Sequence, residues 1–146
     1  GALPELPTSK EREQGFRKAL KDRAVKVDYL YTDKFHKNNA ANTFAQWLSE
    51  KGNLPTTIFT TSFTLLEGVM LVLLQRFGHV PHHLTIATFG HFEMLELLEN
   101  PVICSVQDYD KVSQSLLNLA FDAISKKHKT TVNSTPLSRK VIKYHC

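Results

Sequence analysis

The sequence predicts an α/β fold, a largely parallel sheet with helices on both faces. Three observations predict it. Apolar, β-rich runs alternate with helical runs at lengths that suit right-handed crossovers. Residues 84–89 are nearly continuous in apolar character, as expected of a parallel strand covered on both faces. Residues 64–77 read as a helix that closes on Gly78 with Pro81 beyond, directly before that strand.

The expected elements follow in order. Thr8 or Ser9 can cap a first helix reaching to about Lys21, with Glu11 and Glu13 near its positive end. Residues 25–31 alternate, with β-branched or aromatic side chains at several positions, and read as a strand. From Asn38 or Asn39 to Lys51, Ala41, Phe44, Trp47 and Leu48 share one helical face, and Gly52 supplies the stop. Residues 54–61 form a strand with Pro55 confined to its start. After the helix 64–77 and the strand 84–89 come a helical turn or two at 93–98 and a strand at Val102–Val106. The longest helix, 108–126, spaces Val112, Leu116, Leu119, Ala120 and Ala123 for one face. A loop at 130–136 and a last strand at 137–144 complete the order.

At 146 residues, with 42% hydrophobic and 22% charged residues, the chain suits one domain with a sizeable core. No run approaches the roughly 20 apolar residues of a membrane span. Two cysteines, Cys104 and Cys146, make no disulfide framework, and a reducing, cytoplasmic location is expected. The start lacks the pattern of a secretory signal and an initiating Met, so a fragment or processed product is expected. Net charge is +4, with Lys126, Lys127 and Lys129 after a helix and Arg139, Lys140 and Lys143 on the last strand. No groove-reading motif accompanies them, so they read as a helix C-terminus and a protected edge strand rather than a nucleic-acid footprint.

Ligands of open α/β sheets bind beyond the C-terminal ends of the strands. Those ends carry Thr60-Thr61-Ser62, Phe89-Gly90-His91 and Gln107, short polar side chains and backbone suited to a small ligand. Ser62 lacks the G-x-S-x-G elbow of a nucleophile, since Thr60-Thr61-Ser62-Phe63-Thr64 surrounds it. Capping or ligand binding outweighs catalysis there. Seven histidines invite a metal reading, but adjacent His82 and His83 point to opposite sides of a strand and no H-E-x-x-H pattern occurs, so no metal site is expected. Phosphate could be held by helix N-termini with a basic side chain such as Arg12 or Lys10. Phe35, in a loop beside Lys34 and His36, is either a partial core residue or a plane for a sugar ring.

Taken together, the chain resembles the C-terminal half of the LacI/GalR family of transcription regulators. The resemblance rests on Arg12-Glu13-Gln14-Gly15-Phe16, Pro55-Thr56-Thr57-Ile58-Phe59, Gly68, Gly78-His79-Val80-Pro81, and Asn100-Pro101 before a strand ending Val106-Gln107. The runs GALPEL, REQGFR, IFTTSF, LLEGVM and TIATFG point to the fructose-repressor branch. The resemblance implies the C-terminal lobe of a type I periplasmic-binding-protein-like sensor, with the DNA-binding headpiece and most of the first lobe absent from residues 1–146. It implies a dimeric cytoplasmic regulator with no cofactor and no catalysis, responding to a phosphorylated fructose, fructose 1-phosphate above all. DNA is a partner only through the absent headpiece. The family's dimer contacts map to the helix between Glu67 and Leu74 and the turn between Met94 and Leu98.

Carried over by position, Arg12 matches the arginine that grips the sugar, Phe35 the aromatic packing position and Gln107 the polar residue at the hinge crossing. Ser62-Phe63 stand where most of the family has Asn-Asp, and Gly90 where it has Asp, which suits an anionic ligand. His91 stands where the branch has Asp and could add a positive partner to phosphate. The expected ligand-binding set is therefore Arg12, Phe35, Ser62, Phe63, Gly90, His91 and Gln107. The rival readings are a sugar-binding protein of a transport system and a small α/β enzyme acting on a phosphate ester.

Overall fold

Alternation along three short strands builds the centre of the molecule. The structure, a computed structural model, describes residues 1–125 and 137–146. Strands β1 (Thr57–Thr60), β2 (Thr85–Phe89) and β3 (Val102–Val106) pair in parallel, and β4 (Lys140–Tyr144) closes the order β1-β2-β3-β4 antiparallel to β3. Register puts Ile58, Ile86 and Val102 in one row, all buried on one face. Thr60, Thr88 and Cys104 form the next row, where the Thr60 hydroxyl donates to the Thr88 hydroxyl at 2.8 Å. A buried hydroxyl pair of this kind avoids the cost of an unpaired polar group.

Helices α2 (Lys37–Lys51) and α3 (Phe63–Phe77) cover that face through Ala41, Phe44, Leu48, Leu66, Val69, Met70 and Leu73. Gly68 permits their close approach: a Cβ there would run into the backbone of Lys37 and Ala41. Helix α1 (Pro7–Leu20) lies against the opposite face, where the Phe16 and Phe59 rings stack with centroids 4.6 Å apart. A 3-10 helix (Glu93–Leu97) follows β2. Asn100 locks the turn after it, donating to the carbonyls of Pro81 and Leu84 at 2.8 and 3.0 Å.

Most elements lie where the sequence puts them, with four differences. α1 begins at Pro7, whose ring suits a first helical position. Neither Thr8 nor Ser9 caps it; Ser9 is buried and donates to the Ala2 carbonyl at 2.8 Å. The cap of α2 is His36, whose Nδ1 accepts from the Asn38 N–H at 3.2 Å. Residues 25–31 form no strand: they are extended, and the neighbouring isolated bridge joins Ala2 to Thr32. A β-favouring composition makes a ladder only where an adjacent strand offers its edge. Finally, α4 (Tyr109–Ser125) has its expected apolar spacing but no buried residue. The expected lysine cluster at 126, 127 and 129 and the loop at 130–136 lie outside the described residues. No helix among the described residues is long and apolar enough to cross a membrane.

Candidate functional site

The C-terminal ends of β1, β2 and β3 gather two guanidinium groups around one aromatic ring. Arg12 is presented by the second turn of α1, and its Nη1 donates to the Thr61 carbonyl, one residue past β1, at 2.6 Å. Arg139 precedes β4; because β4 runs antiparallel, its start stands beside the end of β3. There its Nε donates to the Ser105 hydroxyl at 2.9 Å and its Nη2 to the Ser105 carbonyl at 2.6 Å. Phe89, the last residue of β2, lies under both: the Arg12 carbon is 4.8 Å and the Arg139 carbon 5.3 Å from its ring centroid. Such stacking favours a cation over an aromatic face.

Electrostatically, two cations are held close together here. Burial, and then the repulsion of Arg139, lowers the Arg12 pKa from the ordinary guanidinium value, yet the group stays charged. Neither guanidinium takes part in an ion pair among the described residues. A dianion between them would remove their repulsion and complete their donor sets. Beneath, a small cavity of about 280 Å³ is lined by Arg12, Phe16, Phe59, Phe89, Ser105 and Val141, among others.

The expected site residues are not all gathered in one place. Ser62, Phe63 and Gly90 stand beside Arg12. Ser62 caps α3 by accepting from the Thr64 N–H at 3.3 Å, as its position suggests. Phe63 opens α3, half-exposed, and reaches across to Gly90. Gly90 has φ of +94°, a backbone that L side chains rarely adopt, and a Cβ there would meet the Phe63 ring at 2.7 Å. Its N–H donates to the Ser105 carbonyl at 2.9 Å, tying the site loop to β3.

Phe35 packs against Ala2, Ala40 and Leu65, a small satellite of the core. Gln107 is exposed just past β3 and precedes the buried Asp108. His91 is engaged: its Nε2 lies 3.0 Å from the Tyr144 hydroxyl and 3.4 Å from a Glu96 carboxylate oxygen. Sequence reasoning put Phe89 at a strand end without giving its ring a role, and passed over Arg139 and Ser105 as site residues. Arg139 read as an edge-strand charge, because nothing local announces that β4 runs antiparallel and starts at the ligand end.

No protein-family model matches the chain. The catabolite repressor/activator of Salmonella typhimurium is 42% identical over 139 residues, covering 95% of this chain and 41% of that protein. The fructose operon regulatory protein of Vibrio cholerae is 36% identical over 141 residues, 97% of this chain and 43% of that protein. The chain thus spans less than half the length of the curated relatives it matches. Among solved structures, the Cra transcriptional dual regulator of Pseudomonas putida, in complex with fructose 1-phosphate, superposes with a TM-score of 0.86 at 29% identity, over 98% of this chain and 52% of that one. A LacI-family repressor from Corynebacterium glutamicum shares the fold at TM-score 0.80 and 20% identity, over 97% of this chain and 53% of that one. By these likenesses the chain is similar to the C-terminal portion of the catabolite repressor/activators and shares the fold of LacI-family regulators.

Proposed function

We propose that the chain is the sugar-phosphate-sensing portion of a DNA-binding regulator of carbon metabolism, and that it responds to fructose 1-phosphate or a related phosphorylated fructose. One observation carries the reading: Arg12 and Arg139 converge over Phe89 at the strand ends without a carboxylate partner among the described residues. The complex of its Pseudomonas relative with fructose 1-phosphate supports the choice of anion. In this reading Arg12 grips the sugar phosphate, Ser62 and Phe63 border the pocket, and the bare Gly90 leaves room and no negative charge. Phe35 and Gln107 flank the site from the core side and from the crossing after β3. Ligand closes this lobe on a second one and shifts a dimer between DNA-competent and DNA-incompetent states. The ligand leaves unchanged. DNA contact lies in a headpiece outside residues 1–146, and the regulator works in the cytoplasm.

The dimer surface in this reading includes the outward side of α3 and the 3-10 helix, where Leu71, Leu74, Met94 and Leu97 are exposed. Titration calorimetry with fructose 1-phosphate, fructose and inorganic phosphate tests the ligand. Binding of the sugar phosphate with heat that disappears in Arg12→Ala supports the reading. Equal binding by wild type and Arg12→Ala, or turnover of the ester, would overturn it.

A further inference from the structure

A second cavity lies elsewhere, along the free flank of β1. It has a volume of about 710 Å³ and lies between that strand and the extended residues 25–31. Two backbone edges face each other across it. β1 is paired only on its β2 side, and residues 25–31 join no sheet among the described residues. Open edges of this kind invite a strand. The cavity also holds two buried polar atoms without partners among the described residues, the Trp47 indole nitrogen and the Thr61 hydroxyl.

Its mouth already carries the first rungs of a ladder. The Gly1 nitrogen donates to the Leu30 carbonyl at 2.7 Å, the Thr32 N–H to the Gly1 carbonyl at 3.0 Å, and the Leu3 N–H to the Thr32 carbonyl at 3.0 Å. The resulting bridge, Ala2 to Thr32, is parallel. On its other side Gly1 faces the end of β1, for a Cβ on it would lie 3.6 Å from the Thr61 hydroxyl and 3.8 Å from the Tyr31 ring. The backbone at Gly1 therefore stands between both edges, and a chain running into it would fill the lane behind.

We infer that this cavity is a strand site. It takes one extended apolar segment of about five residues, paired in parallel with β1 on one side and residues 25–31 on the other, and covalently continuous with Gly1. A small molecule fits the volume but leaves both backbone edges unpaired. The carboxylates of the lining do not call for a charged guest either: Glu13 is paired with Arg17 at 2.7 Å and Asp28 with Lys51 at 3.3 Å. The relatives have more than half their length outside the matched stretch, so polypeptide is at hand to supply the strand. The strand site also explains why residues 25–31 carry a strand's composition without a ladder.

The test adds five residues before Gly1 of the 146-residue chain, either Val-Ile-Val-Leu-Val or Gly-Ser-Gly-Ser-Gly, and offers the apolar peptide free in a third arm. Amide exchange at residues 25–31 and 57–60 reads the two edges, the single tryptophan Trp47 reads the cavity, and light scattering reads the mass. The apolar extension is expected to slow exchange on both edges at least about tenfold and shift Trp47 emission to the blue in a particle of unchanged mass, with the Gly/Ser extension inert. Equal exchange in the two extended chains would overturn the strand site. Protection that appears only in a particle larger than the one the unextended chain forms, or equally with the free peptide at the same concentration, would overturn the continuity with Gly1.

Discussion

At Phe89 one ring organises two charges that would otherwise repel. Hydrogen bonds to charged groups are worth about 1.5–3 kcal/mol, so losing one guanidinium should weaken a phosphate ester about 10- to 100-fold. We expect Arg139→Ala to lose that much affinity for fructose 1-phosphate in calorimetry, while Arg139→Lys, lacking the fork that holds Ser105 twice, recovers little of it. Gly90 makes a different demand. With φ of +94° and the Phe63 ring against it, Gly90→Ala should lower the melting temperature and displace Phe63. His91 also has a place within the fold. Its Nε2 is held by Tyr144 and Glu96, so His91→Ala should loosen the contact between the 3-10 helix and β4. A loss of affinity on the scale of Arg139→Ala would contradict this.

Among elements, the tightest constraint is the crossing of α2 and α3. Gly68→Ala pushes a methyl into the α2 backbone and should cost about 1–3 kcal/mol in denaturant unfolding. An unchanged midpoint would show that the helices can part without loss. Asp108, nearly buried after β3, holds the start of β4 and the first turn of α4 through Lys140 at 3.1 Å and Lys111 at 3.7 Å. The Lys140 hydrogen bond, ahead of that from the Lys111 N–H, keeps its carboxyl below the ordinary range. A folded-state pKa below the unfolded one contributes stability above the unfolded value, and loses it as pH falls through the folded value. Asp108→Asn should therefore flatten the acid limb of the stability profile below about pH 4. The helices, the three parallel strands and the caps at Gly52, Gly78 and Ser62 are legible in the sequence because periodicity and capping are local. Residues 25–31 mislead because a strand's existence depends on a neighbour. The Arg12–Phe89–Arg139 arrangement stays hidden because it rests on the register of β4, which no local pattern encodes.

For the molecule as a whole, α4 is the open question of packing. Tyr109, Leu116, Leu117, Phe121 and Ile124 fall on one side of the helix and are all exposed. That much contiguous apolar surface drives association. We expect the 146-residue chain to sediment as a dimer that Leu117→Lys with Phe121→Lys dissociates; a monomer at high concentration would count against it. The antiparallel direction of β4 has a consequence for time as well as for place. Arg12 meets Thr61 across 49 residues and Arg139 meets Ser105 across 34, whereas Ser62 caps its own helix two residues away. Contacts of long sequence separation are slow to form. On the proposed function, ligand competence is therefore expected late in refolding: the helical signal should return first, and anion binding only when the last strand has docked.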